Sequence, residues 1–408
     1  MKKFGPDKVS ESGFPKSPSP SVYENSKIIM ESLETSVELI TCADFSCKTG
    51  MGEFENGSFL HALYMKRRES SAIFAADLVM NLTLSDILNA NLGDNRNFNE
   101  TAVVLFRWQY ENNLIYRQYV DLIGVRPASI NHYLQIPFLP VDFFKKYQIQ
   151  SGVFEPESAF SSSGTTGGTQ SLHFVKSLDD YTRTSIYCFQ TFFGQYSNYC
   201  HLALLPSYLE RTGSSLIYML EQFVRHSQYV QSGFYLNEFD RLDAVLKANE
   251  KAKVPTVLWG VTFALLDFAE FFTGKLNNTM IMETGGMKGR RKEITRPELY
   301  ETLSKRFSTT NIASEYGMTE MFSQCYSKEQ GVFSCPPHVK VLGRELNDPF
   351  AICEVGRNKA VNIIDLANIH SCAFIALSDL CNIHNDGTFE ILGRVDMSEI
   401  RGCNLMVK

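Results

Sequence analysis

The sequence predicts an α/β fold with a largely parallel or mixed sheet. Three observations carry that expectation. Short apolar runs of strand length recur along the chain. Segments with apolar residues at helical spacing separate them. The last stretch then changes to short strands joined by turns, the pattern of an antiparallel region.

Residues 1–25 are rich in Ser, Pro, Lys and Gly and are expected to be disordered, because they cannot bury enough apolar surface to offset ordering. Residues 26–97 mix apolar and polar side chains and read as an accessory segment of unknown fold. Residues 91–99 are polar, with Gly and Asp, and suggest a boundary.

From Phe98 the texture changes. NETAVVLFRWQYENNLIYRQYVDLIG has helical spacing, ended by Gly124 and Pro127. IPFLPVDFFKKYQI is extended and punctuated by proline. LDDYTRTSIYCFQTFFGQY, FDRLDAVLKANEKAK and RPELYETLSKRF are helical patterns, and YCHLALLP, VPTVLWGV, TMIMETGG and TNIASEYG read as strands. FAICEVG through FEILGRVD forms the antiparallel stretch.

The length of 408 residues suits two or three units. A net charge of -6 gives no basic footprint and argues against nucleic acid as a partner. No apolar run reaches the roughly 18 residues of a membrane span. The first residues carry lysines but no apolar core, so they do not read as a secretory signal. The cysteines are scattered without CxxC pairs and read as free thiols in a reducing cytoplasm, Cys403 excepted. With 30 Phe and 18 Tyr, the chain has aromatics to spare for an apolar pocket. Residues 189–193 and 259–268 are expected to supply part of it, although such stripes are more often plain core.

Residues 161–171, SSSGTTGGTQS, are the strongest local signal. Glycine lets the backbone approach a phosphate and aim successive N–H groups at it, and the hydroxyls add donors. The Gly-Lys-Ser ending of a P-loop is missing. A flexible linker has the same composition. The position inside a folded unit, between a strand and an expected helix start, favours a phosphate loop. A second signal is Glu315-Tyr316-Gly317-Met318-Thr319-Glu320. Here a strand ends at a glycine turn that displays a hydroxyl and a carboxylate. A carboxylate beside a triphosphate is a natural Mg²⁺ ligand. A surface turn with Thr319 as a helix cap is the plainer alternative.

Residues 162–167, Ser-Ser-Gly-Thr-Thr-Gly, are similar to the phosphate loop of the adenylate-forming superfamily of acyl- and aryl-CoA ligases, luciferases and peptide-synthetase adenylation domains. The usual Pro-Lys ending is absent, and the loop runs on to Ser171-Leu172-His173. That ending, with FRWQYENNLIYRQYV and IPFLPVDFFK before it, resembles the LuxE-type acyl-protein synthetases, the fatty-acid-activating subunits of bacterial fatty-acid reductase systems. The resemblance covers about three-quarters of the chain. It implies an acyl-CoA ligase-like adenylate-forming domain over residues 98–393. Residues 394–408 would then be a hinge and short acyl-acceptor tail, in place of a further C-terminal domain.

The resemblance also implies ATP and Mg²⁺ as cofactors. Ser162, Ser163, Gly164, Thr165, Thr166 and Gly167 would hold phosphates. Gly285 and Gly286 would touch adenine or substrate, or else form an ordinary strand-terminal turn. Tyr316 and Gly317 would face the adenine, Thr319 the α-phosphate, and Glu320 the metal. Asp379, in Ala-Leu-Ser-Asp-Leu, matches an aspartate that holds the ribose hydroxyls, but the preceding Thr-Gly is lacking. Arg394, in Gly-Arg-Val-Asp, would support the ribose beside the hinge. Cys403 matches the acyl acceptor. A cysteine beside a glycine on a short tail can swing in and out of a site, and Arg401 can stabilise its thiolate. His173 has two readings, as an aid to the thiolate or substrate carboxylate and as a simply satisfied histidine.

The implied reaction is activation of a long-chain fatty acid to an acyl-adenylate, followed by acyl transfer to a cysteine thiol. An acyl- or aryl-CoA ligase and a non-catalytic nucleotide-binding scaffold are the alternatives. The partners implied are the carboxylic acid and an acyl reductase or acyl carrier protein.

Overall fold

The computed structural model of the chain describes residues 82–162, 169–205, 213–285, 294–329 and 331–394. The first helix, α1 (Leu84–Asn89), starts at a capping box in which Asp86 N–H donates to Thr83 Oγ1 and the Asp86 carboxylate accepts from Thr83 N–H. It precedes Phe98, yet Ile87 and Leu84 are both buried in the core.

The long helical pattern that follows is divided. α2 (Asn95–Asn112) buries Phe98, Thr101, Ala102, Leu105, Phe106 and Gln109, one stripe at spacings of three and four. α3 (Leu114–Leu122) then begins afresh. The sequence predicts one helix here. Asn113 breaks it by adopting an extended backbone, and its side-chain oxygen accepts from Tyr116 N–H as an N-cap. Its amide nitrogen meanwhile donates to Ser151 Oγ and Ser371 O. Tertiary partners for the side chain thus outweigh helix continuity.

β1 (Leu139–Pro140) and α4 (Phe143–Lys146) come next, followed by β2 (Ser158–Ser161) and β3 (Leu172–Val175), which pair antiparallel. The Ser/Gly/Thr loop therefore sits at the tip of a hairpin, not between a strand and a helix. The alternation of buried His173 and Val175 with less buried Leu172 and Phe174 is strand periodicity. The helix starts only at α5 (Leu178–Phe193), capped by Ser177.

A parallel layer follows. Its strands are β4 (Cys200–Leu204), β5 (Gly233–Phe234), β6 (Thr256–Gly260), β7 (Thr279–Glu283) and β8 (Ile312–Tyr316), paired in the order β8-β7-β6-β4-β5. α6 (Ser215–Arg225), α7 (Phe239–Ala252), α8 (Thr262–Phe271) and α9 (Arg296–Phe307) connect them. β4, β6 and β7 are buried at every residue, as their apolar sequences require. The expected pocket aromatics are core here. Phe189 packs against Phe193, Phe223, Trp259 and Tyr326, and both Phe189 and Trp259 are fully buried.

The antiparallel part begins earlier than the sequence suggests and continues the same sheet. Its strands are β9 (Cys325–Ser327), β10 (Val332–Ser334), β11 (Val339–Arg344), β12 (Ile352–Cys353), β13 (Gly356–Asp365), β14 (Phe374–Ile383) and β15 (Phe389–Arg394). β9 pairs antiparallel with β8, so the described strands run β12-β11-β13-β14-β15-β10-β9-β8 and on into the parallel layer. β1 lies parallel to β14. The result is a mixed α/β architecture with two apolar cores. One gathers α2, α3 and the antiparallel strands, and the other gathers α5 to α9 and the parallel strands. They meet after β8, where Tyr316 and Met321 belong to the first and Phe322 and Tyr326 to the second.

Candidate active site

The meeting line of the cores carries the chemistry-bearing residues. β8 has a parallel neighbour on one side and an antiparallel one on the other, with Tyr316 opposite Cys325. The chain leaves the sheet at the C-terminal end of a parallel strand, where α/β folds expose their ligand crevices. At Gly317 a Cβ would lie 2.4 Å from Glu315 Oε1, so any larger residue would have to displace the end of that side chain.

Tyr316, Asp379 and Arg394 form a connected row. The Tyr316 hydroxyl donates to Asp379 Oδ2 (2.7 Å), and Arg394 Nε donates to Asp379 Oδ1 (3.2 Å). Asp379 and Arg394 face each other across β14 and β15, so strand register fixes their contact. The Tyr316 ring is held by Phe333 and Phe389. Burial, with the Asp379 charge, pushes its hydroxyl well above the ordinary tyrosine range. Each Asp379 oxygen keeps lone pairs for a further donor, and the Arg394 side chain is largely exposed.

A second group gathers at the foot of the hairpin. Ser162 N–H donates to Ser171 O (3.1 Å), and Ser171 N–H donates to Ser162 Oγ (2.9 Å). Glu320 is buried beside Ser171, whose hydroxyl favours the charged form of its carboxyl. Burial holds the Glu320 carboxyl above its usual range, against the pull of that hydroxyl and of the Arg394 and Lys145 charges. Asn368 supports the same turn by donating to Glu320 O (2.9 Å). Gln109 of α2 fixes the Asn368 loop, donating to Asn368 O and Ile369 O and accepting from Ala373 N–H.

His173 ties the hairpin to this turn. Its Nδ1 lies 2.7 Å from Thr319 O, so the Nδ1 proton is donated to that carbonyl. The ring is buried, and burial lowers its pKa to about 4. It is therefore a neutral, bonded histidine at pH 7.

Other polar groups here are structural by their bonding. Asp365 accepts from Phe322 N–H, Ser323 N–H and the Ser323 hydroxyl. His338 Nε2 is 2.8 Å from Ser323 Oγ. Serine, histidine and aspartate thus meet, but the serine gives its only proton to Asp365 and is fully buried, so it has no base and no access. At the end of β7, Glu283 accepts from Thr262 Oγ1, Ser314 Oγ and Gly285 N–H, with the Arg296 guanidinium 3.6 Å away. Gly285 adopts a φ of 73°, which glycine takes without strain. Burial, with the nearby Glu283 charge, pushes the neighbouring Glu315 carboxyl up to about 8.

Of the residues the sequence singles out, Ser162, His173, Tyr316, Gly317, Thr319, Glu320, Asp379 and Arg394 converge on this region, and Gly285 caps Glu283 beside β8. Ser163, Gly164, Thr165, Thr166, Gly167, Gly286 and Cys403 lie outside the described residues. Glu283 and Asn368 were not singled out, and Ser171 and Glu315 were named only as members of their motifs, without a role. A glutamate ending the apolar run TMIME was a legible signal for Glu283. Asn368 had none, because its role depends on a contact 48 residues away in sequence.

Among the described residues no group of three or more His, Cys, Asp and Glu side chains is gathered for a metal ion. A single buried carboxylate at Glu320 fits an ion that shares its ligands with a polyphosphate rather than one caged by protein. No described helix is long and apolar enough to cross a membrane.

No protein-family model matches the chain, and no curated protein does. Among solved structures, the chain is similar to ATP-bound MatB from Rhodopseudomonas palustris, with 12% identity over 68% of this chain and 52% of that one, at a TM-score of 0.44. O-succinylbenzoate coenzyme A synthetase from Bacillus subtilis, in complex with ATP and magnesium ion, gives 14% identity over 61% and 52% at a TM-score of 0.42. The amide bond synthetase McbA from Marinactinospora thermotolerans gives 16% over 58% and 48% at 0.40. The chain spans about half the length of each.

Proposed function

We propose that the chain activates a carboxylic acid with ATP, forming an acyl-adenylate, and that the acyl group then passes to a thiol. The observation that carries this reading is the joint placement of two groups. Tyr316 and Arg394 hold Asp379 at the end of β8, and the turn that follows carries buried Glu320 to the strand pair β2–β3, where His173 bonds Thr319 O. In this reading Asp379 serves as the ribose-binding carboxylate and Glu320 as the metal-binding carboxylate.

In the first step a carboxylate oxygen of the acid bonds the α-phosphorus. The bond from that phosphorus to the bridging oxygen breaks, and pyrophosphate leaves with the electron pair. Asp379 accepts the ribose hydroxyls and orients the nucleotide, while loop N–H groups meet the phosphate charge. Glu320 would hold Mg²⁺, which when bound neutralises phosphate charge, and Thr319 beside it would meet the α-phosphate. In the second step a thiolate sulfur bonds the carbonyl carbon and AMP leaves, the thiol proton having passed to solvent.

The LuxE-type resemblance supports a long-chain fatty acid as substrate and Cys403 as acceptor, with an acyl reductase or acyl carrier protein receiving the group afterwards. His173 belongs in this scheme as the residue that locks the hairpin to the Thr319 turn. ATP–pyrophosphate exchange with a panel of carboxylic acids tests the first step. Exchange with no acid in the panel, fatty acids included, would remove the activity and leave a nucleotide-binding scaffold. Exchange followed by transfer to coenzyme A instead of protein would identify an acyl- or aryl-CoA ligase.

A further inference from the structure

We propose that Lys145 binds the β- and γ-phosphates of the nucleotide, a role that rests on the ATP reading above. The fold brings this lysine to the site from far away in sequence. β1 runs parallel to β14, with Leu139 opposite Ile375 and Pro140 opposite Ala376. Val141 N–H donates to Ala376 O (2.9 Å). Asp379 lies further along β14 in the same direction, so β1 delivers α4 to the end of the sheet that holds Asp379. Phe144 is buried, and its ring stands edge-on to His173 at 6.2 Å. His173 in turn bonds the carbonyl of Thr319, next to Glu320. Lys145 follows Phe144 directly on the same short helix, so β1 and α4 bring it to the side of the fold that holds the Thr319–Glu320 turn.

Among the described residues, the charge balance of the site favours such a cation. Glu320 and Asp379 make its fixed carboxylates negative. Arg394 is bonded to Asp379. Residues 161–171 contain no lysine or arginine. A triphosphate entering beside Glu320 therefore needs a positive group from outside the loop, even with one divalent ion bound. Lys145 is about half-exposed, and Nζ pairs with Asp142 Oδ1 (2.7 Å), itself about half-exposed. An exposed pair of this kind contributes little, so the ammonium can turn to a polyphosphate at small cost. Its flexible stem and point charge suit phosphate oxygens.

Calorimetric titration of ATP and of AMP into the full chain with Mg²⁺ tests the assignment, using wild type, Lys145→Ala, Lys145→Arg and Lys146→Ala. Lys145→Ala should weaken ATP on the order of tenfold, the loss of one charge-assisted contact, and leave AMP within about twofold of wild type. Lys145→Arg should recover most of the ATP affinity, and Lys146→Ala should bind as wild type does. Equal weakening of ATP and AMP would mark a structural effect and overturn the proposal, as would unchanged ATP binding or an equal loss in Lys146→Ala. If wild type binds neither nucleotide, the ATP reading itself fails and the proposal with it. If wild type binds ATP and Lys145→Ala binds it equally well, only the lysine assignment falls.

Discussion

The Tyr316 hydroxyl donates to Asp379 across 2.7 Å, although the two residues are 63 positions apart in sequence. The contact ties the last residue of the parallel layer to the middle of the long antiparallel strand β14. It therefore joins the two halves of the sheet at the point where the Gly317 turn leaves it.

Tyr316→Phe removes the donor and leaves Asp379 with Arg394 alone. A hydrogen bond to a charged group is worth about 1.5–3 kcal/mol, so a loss of stability of that order is expected. Urea unfolding reads it as a lower midpoint at unchanged slope. An unchanged midpoint would show that the hydrogen bond is not made in solution.

Glu320→Gln should lower Mg²⁺-dependent pyrophosphate release by a large factor. Ser171→Ala should lower it less, because that change removes a neutral partner of the carboxylate and keeps its charge. Release at the wild-type rate from Glu320→Gln would take the metal role away from Glu320.

Glu315 sets a pH dependence with a definite sign. Its folded pKa of about 8 is above the ordinary 4.5, so the folded state holds a proton that the unfolded state has lost between those values. Its contribution to stability is full below about 4.5 and falls as pH rises towards 8. His173, lowered to about 4, works in the opposite sense, contributing stability above about 6.5 that is lost as pH falls. His201 and His370, also lowered to about 4, and His338, lowered to about 3, do the same. The difference between wild type and Glu315→Gln over about pH 6.5 to 8 therefore isolates Glu315. Wild type should lose stability across it relative to Glu315→Gln, measured by unfolding midpoints at each pH. Parallel curves for the two proteins would mean that Glu315 is already ionised at pH 6.5.

Cys403→Ser should still release pyrophosphate with ATP and a fatty acid, since the adenylation residues are untouched. It should fail to hold a hydroxylamine-labile acyl group, because a serine hydroxyl is a far weaker nucleophile than a thiolate at neutral pH. Intact-protein mass spectrometry after incubation with both substrates reads the adduct. Equal adducts on both proteins would assign the acyl group to another nucleophile.

The sequence by itself determined the α/β class and the buried strands, and it displayed Tyr316 and Glu320 in one motif, whereas Asp379 and Arg394 were singled out only through the family resemblance. The class, the strands and that motif are local properties. Apolar runs such as those of β4 and β6 declare a strand wherever they lie, and a glycine turn between a strand and a carboxylate is written in consecutive residues. The tertiary structure decided what depends on distant partners. Asn113 ends one helix and starts another because Ser151 and Ser371 lie within its reach. The Ser/Gly/Thr loop closes a hairpin because β2 finds β3, and the pairing continues past the strands between Ser162 and Ser171. α6 and α8 form with no helix predicted for either stretch, and the parallel strands they connect bury their apolar faces. His173 is a neutral tether because folding places it under Thr319 and away from water, which no spacing of residues encodes. The helix that carries Lys145 lies where it does for the same kind of reason: β1 pairs with a strand more than two hundred residues later, and only that pairing places α4.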